Sequence, residues 1–301
     1  MFPWHSDLPV TSAKLLPSAL PLFSLVLAAC ASGPAPRLET TPFASRAMHA
    51  QMHYAVWAPR DLSPEERLPL VVFLHGGFDD HQSFDRHGVG AALDRALEAG
   101  EIPRVVVVLP GGHLGFWANW RDGTHYYEDW VMYEAMPAVA RDYHTALCPE
   151  DCHVMGVSMG GAGALRFIFH HPEVFASAGI ISAPIMDTAA MYDFIDSRFY
   201  QILLPTRRIW GRPSRAVVES EDPFLQWTDP DEVGFRLFLA WTEGDRAPIA
   251  YSSKRLGQHL TRHGIPHEGG EFPGRHNWDS WTPMILRALA HNVGGDDFNR
   301  P

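Results

Sequence analysis

Basic residues are scarce in this 301-residue sequence: 24 Lys and Arg stand against 35 Asp and Glu, for a formal net charge of -11. That balance excludes a nucleic-acid partner, because phosphate recognition needs a basic face. Cysteine is rarer, with three in the chain. Cys148 and Cys152 flank Pro149-Glu150-Asp151 in one stretch. In an oxidising compartment that spacing predicts a small local disulfide, with two buried free thiols as the alternative. Besides Cys30, far upstream, no further thiol exists to build a metal site around the pair. The 17 histidines contain no HExxH pair or other close ligand spacing, so neither metal nor cofactor is expected. Long apolar runs are missing too. Residues 15–29 form a short one, below the roughly 20 residues that span a bilayer comfortably.

A run of that length fits the apolar core of a signal peptide. It follows Lys14 and ends Leu27-Ala28-Ala29-Cys30, which resembles a bacterial lipobox. The resemblance implies export, cleavage before Cys30 and lipidation of that cysteine, with Ser32 favouring the outer membrane. Asp7 offsets Lys14, and Pro17 and Pro21 interrupt the run, so an ordinary cleaved signal is the competing reading. Residues 30–47, rich in Pro, Ser, Thr and Ala, read as a flexible tether. Residues 48–301 read as one domain.

What the sequence has is core-forming material: 46% of it is hydrophobic. Residues 68–74 and 105–109 are continuous apolar runs, the mark of strands buried on both faces. Further strands are expected at 49–58, 153–157, 179–182, 235–241 and 267–272. Helices are expected at 89–99, 131–143, 250–263 and 278–291. This alternation predicts an α/β fold, a mostly parallel sheet with helices on both faces and ligands at the carboxyl ends of the strands. Residues 185–232 read as an irregular, aromatic-rich insert that shapes a substrate pocket.

The chemistry centres on Gly156-Val157-Ser158-Met159-Gly160. An apolar run enters this Gly-x-Ser-x-Gly turn and a helix-compatible run leaves it, the strand–turn–helix setting in which such a serine is a nucleophile. A serine hydroxyl is a poor nucleophile at neutral pH and needs a histidine held by a carboxylate. Asp245, after a late strand, is the expected acid, with Glu243 as its rival. His276, after the last strand, is the expected base; His263 and His267 precede that strand and are weaker candidates. The oxyanion of a tetrahedral intermediate needs two N–H donors. Met159 supplies one. The other belongs to the loop His75-Gly76-Gly77-Phe78, with Gly77 favoured over Phe78, and His75 is expected to orient that loop.

Leu-His-Gly-Gly at 74–77, Gly-Val-Ser-Met-Gly-Gly-Ala-Gly-Ala-Leu at 156–165, His-Pro-Glu-Val-Phe at 171–175 and Gly-Arg-His-Asn-Trp at 274–278 resemble the esterase D family of α/β hydrolases. The likeness runs from about residue 49 to 291. It implies an α/β-hydrolase fold, a triad of Ser158, Asp245 and His276, and oxyanion donors near Gly77 and Met159. Some members of the family use glutamate as the acid, which keeps Glu243 open. The expected activity is a serine carboxylic-ester hydrolase, with acyl transfer to an alcohol as the alternative. A binding module on the same fold is disfavoured by the Ser–acid–His order. Trp117, Trp120 and Tyr126, together with Phe78, are candidates to line a hydrophobic or aromatic acyl pocket. Packing of that loop onto the sheet is the other role for its aromatics.

Overall fold

The computed structural model describes residues 38–294. The expected signal segment and Cys30 lie outside the described residues. Eight strands form one sheet in the order β1-β2-β4-β3-β5-β6-β7-β8. They are β1 (Glu39–Ser45), β2 (Ala50–Trp57), β3 (Leu70–Leu74), β4 (Val106–Pro110), β5 (Cys152–Val157), β6 (Ser177–Ile181), β7 (Arg236–Gly244) and β8 (Glu268–Arg275). β1 and β2 run antiparallel to their neighbours, and every other pairing is parallel.

β1 corrects the tether reading. From Leu38 onward the segment is part of the fold, and Glu39–Ser45 pairs along its whole length with β2. Its composition hid it, because it is an edge strand with only Ser45 fully buried. Pro42, which would break a central ladder, is tolerated at an edge.

The central strands are buried on both faces, so alternate residues feed two separate cores. In β3, Leu70, Val72 and Leu74 join one cluster, while Val71 and Phe73 join the other. Period-two geometry requires that split. The second cluster is closed by α2 (Val89–Glu98) and α12 (Trp278–Gly294). A four-residue helix, α1 (Ser83–Arg86), leads into α2. The interior face of α2 carries Val89, Ala92, Leu93 and Ala96, with Ala91 exposed. The first cluster is covered by α3 (Tyr127–Asp129), a wide π turn at Trp130–Ala135, α4 (Met136–Asp142), α5 (Met159–His170) and α11 (Ala247–Arg262).

Residues 185–232 are helical rather than irregular. They fold as α6 (Thr188–Asp196), α7 (Arg198–Leu203), α8 (Thr206–Trp210), α9 (Arg215–Glu219) and α10 (Pro223–Gln226), followed by a single 3₁₀ turn. Each is too short to show a clear 3.6-residue period. Cys148 and Cys152 form the local disulfide at the entry to β5. No described helix is long and apolar enough to cross a membrane.

Candidate active site

Ser158 sits between β5 and α5 with φ 55° and ψ -121°, a conformation that costs a non-glycine residue on the order of 1–3 kcal/mol. The flanking glycines make the turn physically possible. A Cβ on Gly156 would stand 2.3 Å from the Gly160 carbonyl oxygen, and one on Gly160 would stand 1.8 Å from that of Leu74. The serine is therefore lifted out of the sheet edge, over the start of α5. The first N–H groups of that helix have no intrahelical partner, and they favour negative charge.

Three side chains from three strand ends meet here. Ser158 Oγ lies 2.9 Å from His276 Nε2, and His276 Nδ1 lies 2.5 Å from Asp245 Oδ1. His276 directly follows β8, and Asp245 directly follows β7. The second oxygen of Asp245 accepts from the Thr242 N–H and the Ser182 hydroxyl, each at 2.8 Å. Burial opposes ionisation of Asp245, but the donors His276, Thr242 and Ser182 outweigh it and hold its carboxyl below the usual carboxylate range. An ionised Asp245 fixes the proton on His276 Nδ1 and leaves Nε2 free to accept from Ser158. Glu243 does not compete: it is exposed, and the side chain bonded to His276 is that of Asp245. The β7–β8 ladder is irregular between Thr242 and Gly244, where the chain leaves the strand.

His75 organises the opposing loop. Its Nε2 receives the Gly112 N–H at 3.0 Å, so the ring proton is on Nδ1 and points to the Gly76 carbonyl at 2.8 Å. Burial pushes its pKa down to about 4, which keeps the ring neutral. The Gly76 carbonyl also receives the Asp79 N–H at 3.4 Å, closing a turn with Phe78 at φ 66°. Because a trans peptide points its C=O and N–H in opposite directions, the Gly77 N–H is turned away from His75. Gly77 and Met159 share the cleft wall with Ser158.

Asp79 ties this turn to the histidine loop. Its carboxylate accepts from the Trp278 indole at 2.9 Å and from Arg86, and it lies 3.3 Å from His87 Nε2. The His87 ring stacks on Trp278 at 4.9 Å. Neither Ser182 nor Asp79 was identifiable from the sequence, since neither lies in a recognisable motif.

Ser158 and His276 open into a cleft of about 1090 Å³, whose apolar wall includes Leu114, Phe116, Ile185, Met186 and Phe194. Among the described residues no group of three or more His, Cys, Asp or Glu is arranged to hold a metal ion.

The Esterase family model matches residues 45–292. The chain belongs to that family. It is 26% identical to Esterase Rv1288 of Mycobacterium tuberculosis over 266 residues, 80% of this chain and 56% of that protein. The chain thus spans about half the length of the curated esterases it matches. With the MPT51/MPB51 antigen of the same organism it shares 23% identity over 249 residues, 75% of this chain and 82% of that one. Among solved structures, FphF of Staphylococcus aureus, a fluorophosphonate-binding serine hydrolase, superposes with a TM-score of 0.71 at 20% identity. That match covers 85% of this chain and 98% of FphF. The shared architecture is the α/β-hydrolase fold.

Three of the expected pocket residues lie elsewhere in this esterase-family fold. Trp117 is fully buried, and its indole packs where Cβ atoms on Gly112 and Gly163 would stand, donating to the His75 carbonyl at 3.3 Å. Trp120 is buried with its indole bonded to the Gly115 carbonyl. Tyr126 forms a backbone bridge with Asn119 and is not part of the cleft lining. Burying a large ring on a glycine-lined surface removes more apolar area from water than presenting it to a solvated cleft. Phe78 does line the cleft, at its mouth, 89% exposed.

The far end of α5 is held by a largely buried ionic cluster. Arg166 binds both Glu128 and Glu221, and His170 and His171 both contact Glu128. Burial raises the pKa of Glu128, but hydrogen bonds from the two histidines and the charge of Arg166 prevail and hold it well below the carboxylate range.

Proposed function

We propose that this chain is a serine carboxylic-ester hydrolase that works through an acyl-enzyme, with Ser158 as nucleophile, His276 as base and Asp245 as its orienting acid. The observation that carries this reading is the unbroken hydrogen-bonded line from Asp245 through His276 to Ser158 at the floor of an apolar cleft. As Ser158 Oγ attacks the ester carbonyl carbon, His276 Nε2 takes its proton and the carbonyl π electrons move onto oxygen. The Met159 and Gly77 N–H groups receive that oxyanion. Collapse of the intermediate expels the alcohol, which takes the proton from His276. Water, deprotonated by the same nitrogen, then releases the carboxylic acid and restores Ser158.

The apolar wall favours a hydrophobic or aromatic acyl group. An aromatic acyl is the chemistry named for a solved fold relative, the ferulic acid esterase of Anaeromyces mucronatus in complex with ferulic acid. We further propose that the protein is exported and anchored through a lipidated Cys30, which the lipobox-like sequence supports. Metabolic labelling with a fatty acid, compared between the native chain and Cys30→Ser, tests this: equal labelling of the two removes the anchor.

The activity is tested with p-nitrophenyl esters of increasing chain length alongside feruloyl esters. Ser158→Ala should lower kcat by about 10⁴- to 10⁶-fold and abolish labelling by a fluorophosphonate. Ester turnover that survives Ser158→Ala would refute the assignment. If an added alcohol accepts the acyl group faster than water does, the same triad serves an acyltransferase.

A further inference from the structure

Residues 197–218 contain no Asp or Glu, yet they carry five arginines, at 198, 207, 208, 212 and 215, in a chain of net charge -11. The same stretch includes α7, a helix with no buried residue. Its large apolar side chains face water: Phe199 is 65% exposed, Ile202 83% and Leu203 59%. Burial against the rest of the fold does not account for them.

Three of the arginines are held by carboxylates: Arg207 by Asp196, Arg208 by Asp122 and Arg215 by Glu219. Arg198 and Arg212 are exposed, and neither side chain is paired with a carboxylate among the described residues. Set against Asp196, Asp122 and Glu219, the five arginines of this stretch thus leave two positive charges without a carboxylate partner, in a chain of net charge -11.

The apolar surface continues into the cleft. Phe199 packs on Tyr200 at 5.5 Å, and Tyr200 packs on Phe194 at 4.8 Å. Tyr200, Phe194 and Leu204 line the cavity that holds Ser158. Exposed Phe78 and Tyr251 border the same cavity from the turn after β3 and from α11.

We infer that α7 and its arginine flank dock the cleft mouth onto an anionic lipid surface. Apolar side chains at a membrane interface enter the boundary between headgroups and acyl chains, while neighbouring arginines bind anionic headgroups. A polyanion alone would use the arginines and leave Phe199, Ile202 and Leu203 in water, so a lipid surface fits both halves of the patch. Docked in this way, the cleft takes an ester directly from the lipid phase along the Phe199–Tyr200–Phe194 path. The docking rests on the surface itself, and only the delivery of an ester depends on the proposed hydrolase activity.

The test is co-sedimentation of the full chain carrying Cys30→Ser, which removes any acyl anchor at that position, with phosphatidylglycerol and phosphatidylcholine vesicles. The native surface should bind phosphatidylglycerol vesicles strongly and phosphatidylcholine vesicles weakly. Ile202→Ser with Leu203→Ser should abolish sedimentation, and Arg198→Gln with Arg212→Gln should weaken it on the order of 25-fold, from about fivefold per arginine. These four side chains are exposed and none lines the cleft, so hydrolysis of the water-soluble p-nitrophenyl acetate should be unchanged and reports an intact fold. Absent binding to phosphatidylglycerol, or binding indifferent to Ile202→Ser with Leu203→Ser, overturns the proposal. So does self-association in vesicle-free buffer that the same pair of substitutions abolishes, which would make the occupant a second copy of the chain. Absence of ester turnover in the chain with its native surface, with vesicle binding intact, would instead refute the hydrolase reading and leave the docking standing.

Discussion

Ser182→Ala isolates the support given to Asp245. Ser182 directly follows β6 with φ 48° and is fully buried, and its hydroxyl donates to Asp245 Oδ2 at 2.8 Å. Alanine keeps the Cβ and hence the same backbone strain, so the difference between the two proteins is the hydroxyl alone. A hydrogen bond to a charged group contributes about 1.5–3 kcal/mol to stability. Asp245 retains the Thr242 N–H and His276 as donors, so the fold should survive with that loss. The pH dependence carries the sign. Asp245 has a folded-state pKa below its ordinary 3.8, and losing a donor to the carboxylate moves that pKa up. Stability from a depressed carboxylate is present above the unfolded pKa and disappears as pH falls through the folded one. Urea denaturation of both proteins should therefore show the full deficit near pH 7. The deficit should shrink as pH falls through the lowered folded-state pKa values, where the carboxyl protonates in the variant first. A deficit under 0.5 kcal/mol at pH 7, or one that grows as pH falls, would refute the reasoning.

Asp245→Asn should reduce kcat toward p-nitrophenyl butyrate by about 10⁴-fold, the loss seen when a triad histidine is left in the wrong tautomer. Glu243→Gln should change it less than threefold, and equal losses would return the acid to dispute. Gly160→Ala forces a Cβ against the Leu74 carbonyl, 1.8 Å away with no side chain to yield. Its thermal unfolding should report at least about 3 kcal/mol of destabilisation, and a native melting temperature would contradict the packing of the elbow. Glu128→Ala leaves Arg166 buried with Glu221 as its remaining partner. A loss of roughly 3 kcal/mol, the low end for breaking a buried ion pair, should appear in chemical denaturation.

The sequence by itself determined the parts whose constraints are local. Gly156 and Gly160 flank Ser158 because no side chain fits there, and that demand is legible in five residues. The apolar runs at 68–74 and 105–109 announced β3 and β4, because a strand covered on both faces has no polar positions. The order of Ser158, Asp245 and His276 along the chain followed from their places after expected strands, now β5, β7 and β8. Other features were decided only when distant segments met. The choice of Asp245 over Glu243 depends on which residue of a strand end faces His276, and adjacent carboxylates do not reveal that. Trp117 packed behind the cleft because Gly112 and Gly163 left room for its indole, a complementarity between positions up to 46 apart in number. β1 emerged from a polar stretch because backbone pairing with β2, independent of side-chain composition, makes an edge strand. Ser182 and Asp79 became visible as supports only once β6, β7 and the histidine loop were brought to one edge of the sheet. Local sterics are written in adjacent residues, whereas the direction a side chain faces is set by what the rest of the chain packs beside it.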